Sequence, residues 1–376
     1  MSANIHIEHL EDLIFQDQNL LWFYVEQIAA FLKGQQSSID ITIKFDGRPS
    51  IVYGRINDRI FVGTKSVFNK KTPKINFNHQ HIEENHQSDN LELKEILHVL
   101  FDECSNLAFR DPINQADVLF KDNLKVIQLD RTKYVSFTPN IITYGVPCES
   151  ELGQKILQAK IGVAFHTAYD SEFNVIGISN VIDNSRVCNF PVQLNFRDPF
   201  LSEEKLNRII DDIRDTSPSM DIQSISSLLP FLKTFENFCL RNNINKTYER
   251  LVEYVGLHYD LRIKKLKTRK AQERLDKEKR TIIQKCYDFQ HIIMDLQNFH
   301  QKIQHLKNIF LNGLNTYGDV NTFFHCCGKY ETIGHEGFVV VDKNHNFEPV
   351  KLVDRQVFSR LNFIQYTNNE TIQTIN

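Results

Sequence analysis

Ile39-Asp-Ile-Thr-Ile-Lys44-Phe-Asp-Gly-Arg-Pro-Ser50-Ile-Val-Tyr-Gly54 is the stretch on which the fold turns. Its first six residues alternate apolar and polar, a period of two that sets Ile39, Ile41 and Ile43 on one face of a strand. Asp46-Gly-Arg-Pro49 is made of turn formers, and residues 50–54 and 59–63 resume the strand pattern. The expectation is three short antiparallel strands with tight turns, Lys44 standing at a strand end. A lysine held there, where burial and neighbouring cations favour the neutral amine, can act as a nucleophile. Gly47 would let the backbone approach a bound nucleotide closely. Taken alone, the same residues also fit a hairpin with a solvated lysine.

Upstream, Leu10, Leu13, Ile14, Leu21, Val25, Ile28 and Leu32 recur at helical spacing and Gly34 follows as a stop, so one or two helices lead into the first strand. Downstream, residues 76–90 are polar and read as a loop, with His79, His81 and His86 solvated rather than metal-binding. Residues 92–107 return to helical period. Strand patterns follow at 117–120, 124–128, 134–137 and 161–169, with 175–182 a further candidate. From about residue 202 to 315 glycine almost vanishes, charge rises and the period is helical. Residues 337–342 and 349–353 are strands again, joined by Asn344-His-Asn, and the Asn/Thr-rich tail from Tyr366 is expected to be mobile. The expected class is α+β: one antiparallel-sheet domain over 1–200 and 319–376, interrupted by a helical insertion over 201–318.

At 376 residues and 41% hydrophobic the chain can bury a sizeable core. Lys+Arg 44 against Asp+Glu 47 leaves a net charge of -3, so a nucleic-acid partner has to be sought in local charge. Between Arg262 and Arg280 ten cations stand against three acids. Lys264, Lys265, Lys267, Arg269 and Lys270 lead that run, which reads either as a phosphate-tracking face or as a solvated helix with i,i+4 pairs. No run approaches the roughly 18 apolar residues of a membrane span and no signal core opens the chain, so a cytoplasmic protein is expected, without a membrane partner. Seven scattered cysteines fit reduced thiols, and the adjacent Cys326-Cys327 beside His325 reads as buried thiol rather than zinc ligand.

Lys44-Phe-Asp-Gly47 matches the K-x-D-G nucleophile motif of ATP-dependent DNA and RNA ligases and mRNA-capping guanylyltransferases, and the later motifs follow in order. Thr64-Lys65-Ser66 sits where that superfamily carries a short polar or basic motif, Asp117 where it has an acid on a strand, and Phe165 where an aromatic stacks on the base. Glu336-Gly-Phe-Val-Val340 matches the E-G-x-V strand, and Val350-Lys351-Leu352 the lysine strand after it. The chain therefore resembles these covalent nucleotidyltransferases, and over its first and last segments it looks like ligase-like proteins of large tailed bacteriophages. The helical block has no counterpart in the resemblance. The resemblance implies an ATP-grasp-like adenylylation domain in which Lys44 becomes bonded to AMP from ATP. Glu336 and Asp117 would serve Mg2+, Lys351 the α-phosphate, and Asp46, Gly47, Arg48, Lys65, Asp117 and Phe165 the nucleotide.

The sequence departs from the family pattern at Ala116 and Asp117, where glycine and glutamate are usual, and at Val353, where many members have a second lysine. Arg48 stands one place earlier than the arginine of DNA ligases. The chain ends at Asn376, too soon after Lys351 for the barrel that DNA ligases and capping enzymes attach there. RNA is thus expected as the substrate in preference to DNA, with the sealing of 5′-phosphate to 3′-hydroxyl ends in repair as the activity. A DNA ligase, a GTP-dependent capping transferase and a non-catalytic virion-associated module are the alternatives.

Overall fold

The computed structural model describes residues 7–87, 91–104, 108–109, 112–179, 181–182, 186–195, 202–216, 222–317, 320–326, 328–344 and 346–358. It is a mixed α+β structure with two compact units, one of Met1–Ile7, Ser38–Arg197 and Leu314–Val353, the other of Glu8–Ser37, Asp198–Gly313 and Asp354–Asn376.

Among the described residues the first unit has three larger sheets, besides the short pair Ala108–Phe109 with Val181–Ile182. Strands Ile39–Lys44, Gly337–Asp342 and Val350–Val353 lie side by side and antiparallel, the second in the middle. The alternation read from the sequence holds: Ile39, Ile41, Ile43, Phe338, Val340, Val350 and Leu352 are all buried. A second sheet runs in the order Val175–Gly177, Ile161–Tyr169, Ile113–Phe120, Ser50–Ile56, Arg59–Thr64, with Val187–Asn189 parallel to Ile161–Tyr169. Helix Leu91–Cys104 closes one face of it, packing Ile96, Leu97 and Leu100 among Ile51, Tyr53, Val163 and Phe165. The third sheet runs Lys329–Thr332, Asn321–Cys326, Thr143–Pro147, Thr132–Phe137, Lys125–Leu129.

The strands around Lys44 do not form the expected series of hairpins. Ser50–Ile56 pairs with Arg59–Thr64, but Ile39–Lys44 belongs to the other sheet, so residues 45–49 carry the chain across. The hydrogen bonds of that segment explain the crossing. The Arg48 amide donates to Val118 O at 2.9 Å and the Val118 amide to Pro49 O at 3.0 Å, which docks the segment on strand Ile113–Phe120. The Asp46 carboxylate accepts from Asn140 Nδ2 and from the Ile141 and Ile142 amides, while the Asp46 amide donates to the Tyr144 hydroxyl at 2.7 Å. Phe45 is buried against Tyr144 and Phe190.

Residues 79–85, expected as loop, form the helix His79–Asn85, because Asn78 caps it: its Oδ1 accepts from the His81 amide at 2.8 Å. Asp342 shapes the turn after its strand by accepting from the Asn344 and Asn346 amides. The tail from Tyr366, Cys327 and the side chain of Cys326 lie outside the described residues.

The second unit is helical: Gln18–Leu32, Glu203–Asp215, Leu229–Asn242, Tyr248–Lys264, Arg269–Asp288 and Gln290–Leu314. The boundaries differ from the expected 1–200, 201–318 and 319–376, since the N-terminal helix and the residues after Val353 group with the helical block. Buried charge gives the reason. Glu11 accepts from Lys307 Nζ at 2.6 Å and Arg355 Nε at 2.9 Å, and Asp12 from Arg355 Nη2 at 2.7 Å. Burial pushes the Glu11 carboxyl up, but Lys307 and Arg355 outweigh it and carry it to about 2. Asp12 is likewise buried, yet His300 and Arg355 hold it well below the usual carboxylate range. Removing any partner would strand a buried charge, so these chain ends are tied to the helices. Among the described residues no helix is long and apolar enough to cross a membrane.

Candidate active site

Lys44 is the last residue of its strand and pairs with Gly337, so Glu336 is delivered beside it by the neighbouring strand. Lys44 Nζ donates to Glu336 Oε2 at 2.5 Å, with the two side chains 36% and 19% exposed. The pair is therefore open enough to meet a ligand and enclosed enough for its charges to matter. Gly337 has no room for a side chain, since a Cβ there would lie 2.2 Å from Leu352 O. Burial pushes the Glu336 carboxyl up and Asp46 and Asp117 push the same way, with Lys44 opposing them. His335, buried edge-on to Phe45 and Phe338, is lowered by burial to about 4 and so is neutral near pH 7.

Asp117 reaches the same place from the second sheet, where it pairs with Ser50 on one side and Ala164 on the other. Gly47 presses on this strand: a Cβ there would be 2.7 Å from Asp117 Cβ and 2.9 Å from Leu119 Cδ2. Its small size thus serves contact with the Asp117 strand. Burial pushes the Asp117 carboxyl up, but His166, Ser50 and Lys44 together hold it below its ordinary value. His166 Nε2 stands 3.7 Å from Asp117 Oδ2, and the register of its strand shifts between Phe165 and Thr167. A bulge of this kind re-aims a side chain, and here it turns His166 toward the acid. His166 escaped the sequence reading, although a polar residue in the otherwise apolar Ile161-Gly-Val-Ala-Phe-His was its signal.

A family model described as a family of unknown function, DUF6267, matches residues 4–366. The chain belongs to this family. Comparison with curated proteins and with solved structures finds no match. Since the DUF6267 match runs through both units, the helical block is part of what the family shares.

The remaining expected site residues of this DUF6267 protein divide in two. Lys351 pairs with Val339, which also pairs with Thr42, so Lys351 is on the Lys44 face of its sheet. Lys65 opens a short 3₁₀ turn capped by Thr64, at the end of the strand bordering Ser50 and Ile51, and is exposed. Arg48 Nε donates to Pro139 O at 2.9 Å. Asp46 is engaged by the Asn140 side chain and the Ile141 and Ile142 amides and acts as the brace of the Lys44 segment. Phe165 is the correction. Its ring is buried under helix Leu91–Cys104, in the core on the face of the sheet opposite Asp117, and so is not placed to stack on a base. Strand alternation forces this, because Phe165 pairs with the inward Ala116. Among the described residues no three His, Cys, Asp or Glu side chains gather into a metal cage.

In the helical unit, Lys264, Lys265, Lys267, Arg269 and Lys270 are exposed at the turn between helices Tyr248–Lys264 and Arg269–Asp288. Arg269 pairs with Glu273, Arg280 with Asp276 and Lys279 with Asp260, so part of the positive run is offset locally.

Proposed function

We propose that this DUF6267 protein is an ATP-dependent polynucleotide ligase of the RNA-ligase type that works through a lysyl-AMP at Lys44. The observation that carries the reading is the convergence of Lys44 with Glu336 and Asp117, residues distant in sequence and supplied by two sheets. In the first step Nζ attacks the α-phosphorus of ATP; the N–P bond forms as the bridging P–O bond breaks and pyrophosphate leaves with the electron pair. Glu336 Oε2 is the nearest acceptor for the proton that Nζ sheds.

Asp117 and Glu336 are the carboxylates suited to Mg2+, and their crowding with Asp46 around one lysine leaves negative charge that a divalent cation would offset. Such an ion supplies neutralisation of phosphate charge. Lys351 and Lys65 are the cations available to the phosphates. The AMP passes to a 5′-phosphate, and a 3′-hydroxyl then displaces it to form the phosphodiester. The basic turn of the helical unit is the candidate for tracking RNA phosphates.

The test is incubation with α-labelled ATP, and separately GTP, plus Mg2+, followed by denaturing electrophoresis. Label from ATP should stay on the protein through an acid-labile, alkali-resistant bond and vanish in Lys44→Ala. A folded Lys44→Ala protein that labels normally overturns the proposal, and preferential labelling by GTP points to a capping transferase. The departures at Ala116 and Val353 favour a second reading, a nucleotide-binding module without transfer; it predicts ATP binding with no label retained.

A further inference from the structure

Helix Tyr248–Lys264 of the helical unit buries Leu251, Val255 and Tyr259 on one face. Leu257 and Leu261 point away from that face, one turn apart, and are 63% and 60% exposed. Phe238 of helix Leu229–Asn242, 39% exposed, extends the apolar surface, its ring 5.1 Å from that of Tyr254. A contiguous exposed apolar patch with a polar rim marks a protein contact, since leucine offers a phosphate or a base edge no hydrogen bond. The rim is ordered too. At about 100° per residue, Glu253 and Lys264 border the leucines on one side and Tyr254 and Lys265 on the other. Glu253, Lys264 and Lys265 are exposed, and among the described residues none of the three has an ion-pair partner. Glu253 lies six residues before the midpoint of the two leucines and Lys264 five after it; Tyr254 lies five before and Lys265 six after.

We propose that this face joins two copies of the chain, helix Tyr248–Lys264 packing antiparallel on the same helix of a second copy about a two-fold axis. Leu257 then packs on the partner's Leu261 and Leu261 on the partner's Leu257. A two-fold axis in the plane of contact returns each flank of the helix to its own side. Glu253 therefore meets the partner's Lys264, and Tyr254 the partner's Lys265, each pair matched along the helix to within one residue, about 1.5 Å. One face thus supplies both members of two ion pairs and of two cation–π contacts, the self-complementarity that an isologous interface requires. A parallel arrangement would set Lys264 beside the partner's Lys265 and leave Glu253 without a cation, so charge selects the antiparallel one. Lys267 and Lys270 lie beyond the end of the helix, outside this contact. The association is independent of the chemistry proposed for Lys44.

The test is sedimentation velocity of the full chain without nucleic acid. A two-helix contact is at the small end of specific interfaces, about 1,200 Å² or less in total, so the parent should pass from 44.0 kDa toward twice that mass as its concentration rises to about 100 μM. Leu257→Asp combined with Leu261→Asp, both at exposed positions, should unfold like the parent and stay monomeric throughout. Glu253→Lys and Lys264→Glu should each weaken the dimer by about tenfold, since the symmetry counts every change twice. The two charge changes together should restore it, because both members of each ion pair then exchange sign. A parent that remains monomeric over that range, a dimer that survives the leucine changes, or a double charge exchange as weak as the singles overturns the proposal. Association that needs added RNA would make the face a nucleic-acid surface and overturns it as well.

Discussion

Replacing Gly47 by alanine is the sharpest probe of how the candidate site is held. The added Cβ would stand 2.7 Å from Asp117 Cβ, 2.9 Å from Leu119 Cδ2 and 3.0 Å from Val118 O. Carbon atoms pack at about 3.5 Å or beyond, so the 45–49 segment and strand Ile113–Phe120 must separate by roughly 0.8 Å. The Asp117 Cβ and the Val118 carbonyl are tied to the strand itself, so rotation of a side chain cannot relieve the contact. Overpacking of this kind costs about 1–3 kcal/mol. The movement acts on the Arg48–Val118 and Val118–Pro49 hydrogen bonds, the contacts that set Lys44 and Asp117 in register. A misplacement near 1 Å at a reacting group costs on the order of 10²-fold in rate. Thermal unfolding and the rate of self-labelling by α-labelled ATP should both be measured on Gly47→Ala. The expected result is a modest loss of stability with a far larger loss of labelling. A variant that unfolds and labels like the parent would refute the close approach of the two segments and the reason given for glycine here.

Glu336→Ala should fold like the parent yet lose transfer chemistry by roughly 10²-fold or more, the scale for removing one preorganised electrostatic group; unchanged labelling of a folded variant excludes the role. Reversing Lys264, Lys265 and Lys267 to glutamate should leave self-labelling intact while weakening RNA binding and its salt dependence, by about one unit of slope per lost phosphate contact. Equal binding by parent and triple variant across a salt titration would show the basic turn to be solvated surface. The Glu11 carboxyl is depressed from 4.5 to about 2 on folding, so its contribution is complete above the unfolded value and is lost as pH falls from there through the folded one. Urea unfolding should therefore show stability falling below about pH 4.5; Arg355→Met should be less stable near neutrality by about 3–5 kcal/mol and should lose less on acidification.

Local order was legible because it depends on neighbours in sequence. The strand patterns of 39–44, 161–169 and 337–342 marked those strands, and the scarcity of glycine with helical spacing marked the long helices. Lys44 and Glu336 could be singled out from their motifs, but their contact could not. It depends on Ile39–Lys44 pairing with Gly337–Asp342, a choice among partners that no local pattern encodes. The same limit misread residues 45–49 as a hairpin turn, since Asp46 and Arg48 bond to groups at 118 and 139–142 that come together only on folding. Phe165 and His166 show the point in adjacent residues. The sequence by itself determined that both lie on one strand; the side of the sheet that helix Leu91–Cys104 covers decided that Phe165 is core, and a register shift decided that His166 meets Asp117. Strand identity follows from short-range periodicity, whereas strand partner, face and the position of buried charge follow from how the whole chain satisfies its apolar surface and its hydrogen bonds at once.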